Sequence, residues 1–199
     1  MYLKTVYYRL YIMSLVENNS KGGILIDFLL GFYKTRIGIF HDIISGKTQL
    51  SLRLLDWLVT NYAKKYNIIY PIIKNSEKEY FNIYLSYKNQ LKAYSKKYFD
   101  PFCRRDRIII NVRDLTWKKF DNDKYSKEDY VVTTVGQLNF FKWFIENKVM
   151  TFAVNNIELI DNDMNLTLQA NKNSKRRELS ASAIKGVYTS PNRVIIKFT

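Results

Sequence analysis

The chain has 199 residues, with 32 Lys+Arg against 18 Asp+Glu, a formal net charge of +14, one Cys and one His. That length holds one domain with a proper core, or one domain and a small appendage, and an apolar content of 47% argues against wholesale disorder. A single cysteine, Cys103, excludes an internal disulfide framework and multi-cysteine metal sites. A single histidine, His41, excludes paired-histidine chemistry.

The basic excess is unevenly distributed. Residues 1–107 carry a net +10, residues 108–170 carry −2 and residues 171–199 carry +6. Lys outnumbers Arg 22 to 10 and Ala occurs only six times, the residue set of AT-rich codons. Such codons also permit Asp and Glu, so nucleotide bias alone does not produce the imbalance. Lys4 and Arg9 interrupt the N-terminal apolar stretch, which leaves no clean signal-peptide core. The most apolar window, 24–44, carries Asp27, Lys34, Arg36, His41 and Asp42, whereas a bilayer-spanning helix needs about 20 mostly apolar residues. The expectation is a soluble protein without a transmembrane segment, and the unpaired Cys103 fits a reducing, intracellular compartment.

In chain order, 18–23 reads as a loop and 24–44 as helical, in two pieces around Gly38. A helix is predicted over 49–66, where Leu55, Leu58, Val59, Tyr62 and Tyr66 share a face and Ser51 leaves the start open. A second helix is predicted over 77–98. It opens on a capping box of Ser76 and Glu79 and is stopped by Asp100-Pro101. Residues 107–112, an Arg followed by β-branched residues, read as a strand. After a loop at 120–129, Thr134 and Gln137 have capping-box spacing for a third helix over 135–150. That helix continues, or breaks and resumes, through Ile157 and Ile160 to Met164. A loop at 171–177 precedes two strands, 179–187 and 193–198, flanking the turn Ser190-Pro191-Asn192. The fold class expected is α+β: a helix-rich single domain with a small antiparallel sheet that includes a C-terminal β-hairpin. Its regions are an N-terminal helical segment (1–47), a helical core with a short strand at 107–113 (48–170), and a basic loop and hairpin (171–199) packed on the same domain.

Three basic groups are the candidate binding residues. On the second helix, Tyr80, Tyr84, Tyr87, Leu91, Tyr94 and Tyr98 form one stripe, while Lys88, Lys92 and Lys96 form an i, i+4 row on another face with Lys97 nearby. Such a row can track a phosphate backbone, with tyrosines for stacking; equally, it is a solvated face opposite a tyrosine-lined core. Next come Arg104, Arg105 and Arg107, whose planar forks suit phosphates but equally suit an internal network with Asp100 and Asp106. The third group is Lys172, Lys175, Arg176 and Arg177, offset only by Glu178. Trp57, Phe140, Phe141 and Trp143 are expected in the core. No catalytic residue, metal site or cofactor is expected. The carboxylates Asp121, Asp123, Glu128 and Asp129 lack EF-hand spacing, and no glycine-rich phosphate loop is present. Lowered-pKa chemistry at Cys103 and a two-metal nuclease are minor alternatives.

Four stretches in order resemble a protein family shared by nucleocytoplasmic large DNA viruses: Leu52 to Lys65, Tyr87 to Lys97, Phe99 to Arg107 and Thr133 to Trp143. The ending Leu179 to Lys185 is similar too. The resemblance implies a large DNA virus origin. It brings no activity, because the family is functionally unassigned. The reading that follows is a non-enzymatic viral accessory protein that binds DNA or RNA without sequence specificity, in replication, late transcription or genome packaging. It would work in the cytoplasm, the viral factory or the virion. The alternative is a virion structural or assembly protein that contacts other viral proteins.

Overall fold

The computed structural model describes residues 21–74, 76–104, 106–121 and 125–173. The chain divides into two units, 1–164 and 165–199. The described part of the second is the end of one helix, so the fold below is that of the first.

Helix α1 (Lys21–Tyr33) turns Ile26, Leu29 and Tyr33 into the core. The Tyr33 hydroxyl donates to the Leu138 carbonyl at 2.7 Å, and its burial pushes the phenol well above its ordinary pKa. Helix α2 (Ile37–Ile44) adds Phe40 and Ile43. The interruption falls at 34–36, so Gly38 lies inside α2 and is not the break expected from the sequence. Ser51 is the N-cap of α3 (Leu52–Trp57), its Oγ accepting from the Leu54 amide, which settles where this helix starts. A π-helical turn (Leu58–Tyr62) follows, with Thr60 Oγ1 donating to the Asp56 carbonyl at 2.6 Å, and α4 (Ala63–Lys65) ends the run. Leu55, Leu58, Val59 and Tyr62 are buried as their spacing predicts, whereas Tyr66 is exposed.

The next stretch departs from the sequence reading. Strands β1 (Ile69–Lys74) and β2 (Glu77–Asn82) pair antiparallel, with Tyr70 opposite Phe81 and Lys74 opposite Glu77. Ser76 sits in the connecting turn at φ +67 and caps nothing. The β-branched segment before the turn supplies ladder partners for 77–82, so Ser76 and Glu79 only imitate a capping box. The helix begins six residues later than expected, as α5 (Ile83–Tyr98), capped by Asn82, whose Oδ1 accepts from the Leu85 amide.

Strand β3 (Arg107–Asn111) is central in a second sheet, between β4 (Trp117–Lys119) and β5 (Tyr130–Thr134), all antiparallel. Ile108, Ile109 and Ile110 are buried there. Helix α6 (Val135–Glu146) is the centre of the molecule: Leu138, Phe140, Phe141, Trp143 and Phe144 are all buried, so it is enclosed on every side. Lys148, at φ +56, breaks the chain before α7 (Val149–Asn155), and α8 (Ile157–Asn173) resumes after Asn156. Among the described residues the architecture is helix-rich α+β with two small antiparallel sheets. The expected hairpin at 179–187 and 193–198 lies outside the described residues. Residues 21–44 contribute to the same core as α3 to α7, so that part of the N-terminal segment is framework. No helix among the described residues is long and apolar enough to cross a membrane.

Candidate nucleic-acid interface

The basic row on α5 is real, but shorter than the sequence suggests. Lys88 and Lys92 are both exposed, one turn apart, and neither forms an ion pair among the described residues. The inward face carries Ile83 and Tyr87 buried, with Leu91 and Tyr94 half-buried against the core and Tyr84 half-buried at the edge next to Lys88. Most of the tyrosine stripe is therefore packing. Its burial drives the Tyr87 phenol up to about 12, with the Asp56 and Asp100 carboxylates pushing the same way. Tyr80 belongs to β2 and leaves the stripe altogether.

Ser95 adopts φ +56 and ψ 171, which breaks α5 after Tyr94. Lys96 and Lys97 consequently fall off the helical register of Lys88 and Lys92. The expected row of Lys88, Lys92 and Lys96 is reduced to its first two members, and the nearby Lys97 has its Nζ 5.4 Å from the Tyr98 ring centre.

The break delivers the chain onto the first turn of α6. An added Cβ at Gly136 would lie 2.9 Å from the Lys97 carbonyl oxygen and 3.2 Å from the Phe99 nitrogen, so only glycine allows this approach. The Asp100 amide donates to the Gly136 carbonyl at 3.2 Å, Asn139 Nδ2 to the Tyr98 carbonyl at 2.9 Å, and Gln137 Nε2 to the Pro101 carbonyl at 2.8 Å. Thr134 caps α6 as its spacing predicts, its Oγ1 accepting from the Gln137 amide. The Gln137 side chain does not close a capping box; its Oε1 accepts from Thr133 Oγ1 instead.

Arg104 belongs to this clamp. Its Nε and terminal nitrogen donate to the two oxygens of Asp100, each at 2.9 Å, and the Phe102 amide donates to the same carboxylate. Asp100 is buried while the guanidinium faces solvent. Of the two sequence readings for Arg104, the internal network with Asp100 describes what it does here. Arg107 is exposed at the start of β3. Arg105, Lys175, Arg176 and Arg177 lie outside the described residues, and Lys172 lies in the last turn of α8.

Burial pushes the Cys103 thiol up, with Arg107 acting the other way, a direction opposite to the lowered value a thiol nucleophile needs. Asp129 is paired with Arg113, and Asp121 with Lys118 at 2.8 Å. Among the described residues no three His, Cys, Asp or Glu side chains gather as a metal-ligand set.

The structure adds cations that sequence reasoning missed. Lys64, from α4, places its Nζ 5.8 Å from the ring centre of Tyr84, one turn before Lys88. It thereby extends the α5 row across a tertiary contact. On the hairpin, Lys78 Nζ lies 5.8 Å from the ring centre of Tyr80, which is 74% exposed. The run of β-branched and aromatic residues at 68–73 was the available signal for the hairpin; no sequence signal brings Lys64 to α5.

Taken together, fold and surface define a helix-rich α+β protein built on a tight clamp between α5 and α6, with an unpaired cationic row outside it. A family model described as a family of unknown function (DUF7197) matches residues 18–194. The chain belongs to that family. It is 39% identical over 154 residues to a protein of Acanthamoeba polyphaga mimivirus described as "Uncharacterized protein L507". The match covers 75% of this chain and 56% of the relative, so the chain spans little more than half of that protein's length. An unassigned family shared with nucleocytoplasmic large DNA viruses is what the sequence resemblance implied. No solved structure matches.

Proposed function

We propose that this protein binds nucleic acid through its phosphate backbone, without sequence specificity and without catalysis, in viral replication, late transcription or genome packaging. The observation that carries the reading is the row of Lys64, Lys88 and Lys92. All three are exposed, Lys64 and Lys88 flank Tyr84, and none has an acidic partner among the described residues. Cations without counter-charges in a chain of net +14 attract a polyanion and release its counterions on binding. The tail group, Lys172, Lys175, Arg176 and Arg177, belongs to the same proposal on charge alone. Its setting is the cytoplasm or viral factory of the infected cell, or the virion.

The test is fluorescence anisotropy of the full chain with labelled single-stranded DNA, duplex DNA and RNA across a salt series. A binding constant that falls steeply with salt is expected. Absence of binding to all three at low salt contradicts the reading.

One observation favours a second role, in virion structure or assembly. The outer face of the β1–β2 hairpin presents Ile69, Pro71 and Ile73 to solvent, with Ile73 72% exposed. Exposed apolar residues grouped on one sheet face are the usual mark of a protein contact.

A further inference from the structure

A trough of about 690 Å³ lies between the β1–β2 hairpin, α5 and α6, with Phe28 of α1 also in its lining. A space of this size suits a group of small-molecule dimensions. Phe81 and Trp143 line its inner side, their ring centres 6.3 Å apart, and the indole N–H is already satisfied by Ser86 Oγ at 2.9 Å. Tyr80 and Phe28 line it too, and they are 74% and 64% exposed.

The polar lining divides into engaged and free groups. Asn82 caps α5, Asn139 holds the Tyr98 carbonyl, and Asn147 donates to the Trp143 carbonyl. Lys142 is paired with Glu146. Asn89 and Gln90 from α5, by contrast, have no hydrogen-bond partner among the described residues, and Lys74 and Glu79 of the hairpin line the trough with no ion pair there either. On the same helix Lys92 lies three residues after Asn89, which places that amide beside one of the unpaired lysines, with Lys88 one turn before Lys92.

Exposed aromatic rings, free carboxamides and adjacent phosphate-seeking cations are complementary to a base that has left its stack. Its ring face packs on an aromatic side chain, its edge takes up amide hydrogen bonds, and its phosphate meets a lysine. A duplex keeps its base faces stacked and offers only phosphates to such a surface. We propose that this trough receives unstacked bases of a single-stranded nucleic acid whose phosphates run along Lys88 and Lys92. The proposal rests on the phosphate-binding reading above and names its substrate class.

The experiment compares three labelled probes of equal length with the full chain: a single-stranded oligonucleotide, its duplex, and a single strand whose central residues are abasic. The base-bearing strand is expected to bind roughly 10-fold more tightly than the abasic one for each base that stacks. Tyr80→Ala and the pair Asn89→Ala/Gln90→Ala should erase that difference while leaving the salt slope and the melting temperature unchanged. Tyr80 and Asn89 are exposed and Gln90 is half-buried, so the melting temperature checks that each variant is folded. Equal affinity for base-bearing and abasic strands overturns the trough proposal and leaves phosphate binding standing. Failure of every probe to bind overturns both.

Discussion

The two ends of the α5 segment obey different rules. Its C-terminal end, from Ser95 to Arg104, is clamped to α6 by backbone and side-chain hydrogen bonds, and its one described arginine is held by the buried Asp100. Its first three turns bury tyrosines on one side and leave Lys88 and Lys92 without partners on the other. Three of the four stretches that carry the family resemblance meet at the clamp: Tyr87 to Lys97 leads into it, Phe99 to Arg107 forms it, and Thr133 to Trp143 receives it. The fourth, Leu52 to Lys65, reaches it through Asp56. Burial raises this carboxyl's pKa, with the Asp100 charge adding to the rise and Arg104 and Lys96 opposing it. The stretches that carry the resemblance are thus largely framework. The proposed phosphate-binding surface therefore rests on unpaired charge and not on motif density.

Breaking the framework should cost stability first. Gly136→Ala forces a methyl against the Lys97 carbonyl and Phe99 nitrogen, backbone atoms that cannot rotate away. It should destabilise by about 2–3 kcal/mol in urea or thermal unfolding. A result within experimental error of wild type means the clamp is looser than described.

Asp163 tests the framework at a second place. It accepts from Trp57 Nε1 at 3.0 Å, from the Tyr66 hydroxyl at 3.1 Å and from Lys65, tying α8 to α3 and α4. Burial by itself raises this carboxyl, but the Lys65, Trp57 and Tyr66 hydrogen bonds outweigh it and hold the pKa below the usual value. A depressed folded-state pKa gives stability that is complete above the unfolded value, near ~3.9, and is lost as pH falls through the folded value. Asp163→Ala should therefore cost about 2 kcal/mol at neutral pH. Its deficit relative to wild type should shrink below about pH 4 in acid unfolding.

Arg104 separates the two regions directly. Arg104→Ala removes the guanidinium from a buried carboxylate, yet its head is exposed and water replaces part of the interaction. A loss of about 1 kcal/mol is expected, smaller than for a fully buried pair. Because the guanidinium serves Asp100, the salt dependence of nucleic-acid binding should not change. A reduced slope would instead assign Arg104 a phosphate.

Much of the framework was legible in the sequence, because it rests on local chemistry. Thr134 caps α6, the β-branched run forms β3, and Phe140, Phe141 and Trp143 are buried as their positions imply. The hairpin was hidden because Ser76 and Glu79 carry capping-box spacing, and only pairing with 69–74 overrides it. The break at Ser95 was hidden because serine is ordinary within a helix. Its left-handed φ follows from contacts made 40 residues away with α6. The site was half legible: the lysine face of α5 follows from periodicity, but a guanidinium fits a carboxylate and a phosphate equally well, so Arg104 could not be assigned from sequence. Lys64 and the trough depend on tertiary contacts alone.

The smallest structural change carries the most direct test. Lys88→Ala/Lys92→Ala alters only exposed side chains, so stability should stay within about 0.5 kcal/mol of wild type. The slope of log K against log salt should become shallower by roughly 0.7 per lysine on a single strand and roughly 0.9 on a duplex. That pairing of intact stability with a shallower slope is the expected result. An unchanged slope in the folded double variant contradicts the assignment of the α5 lysines to the phosphate backbone.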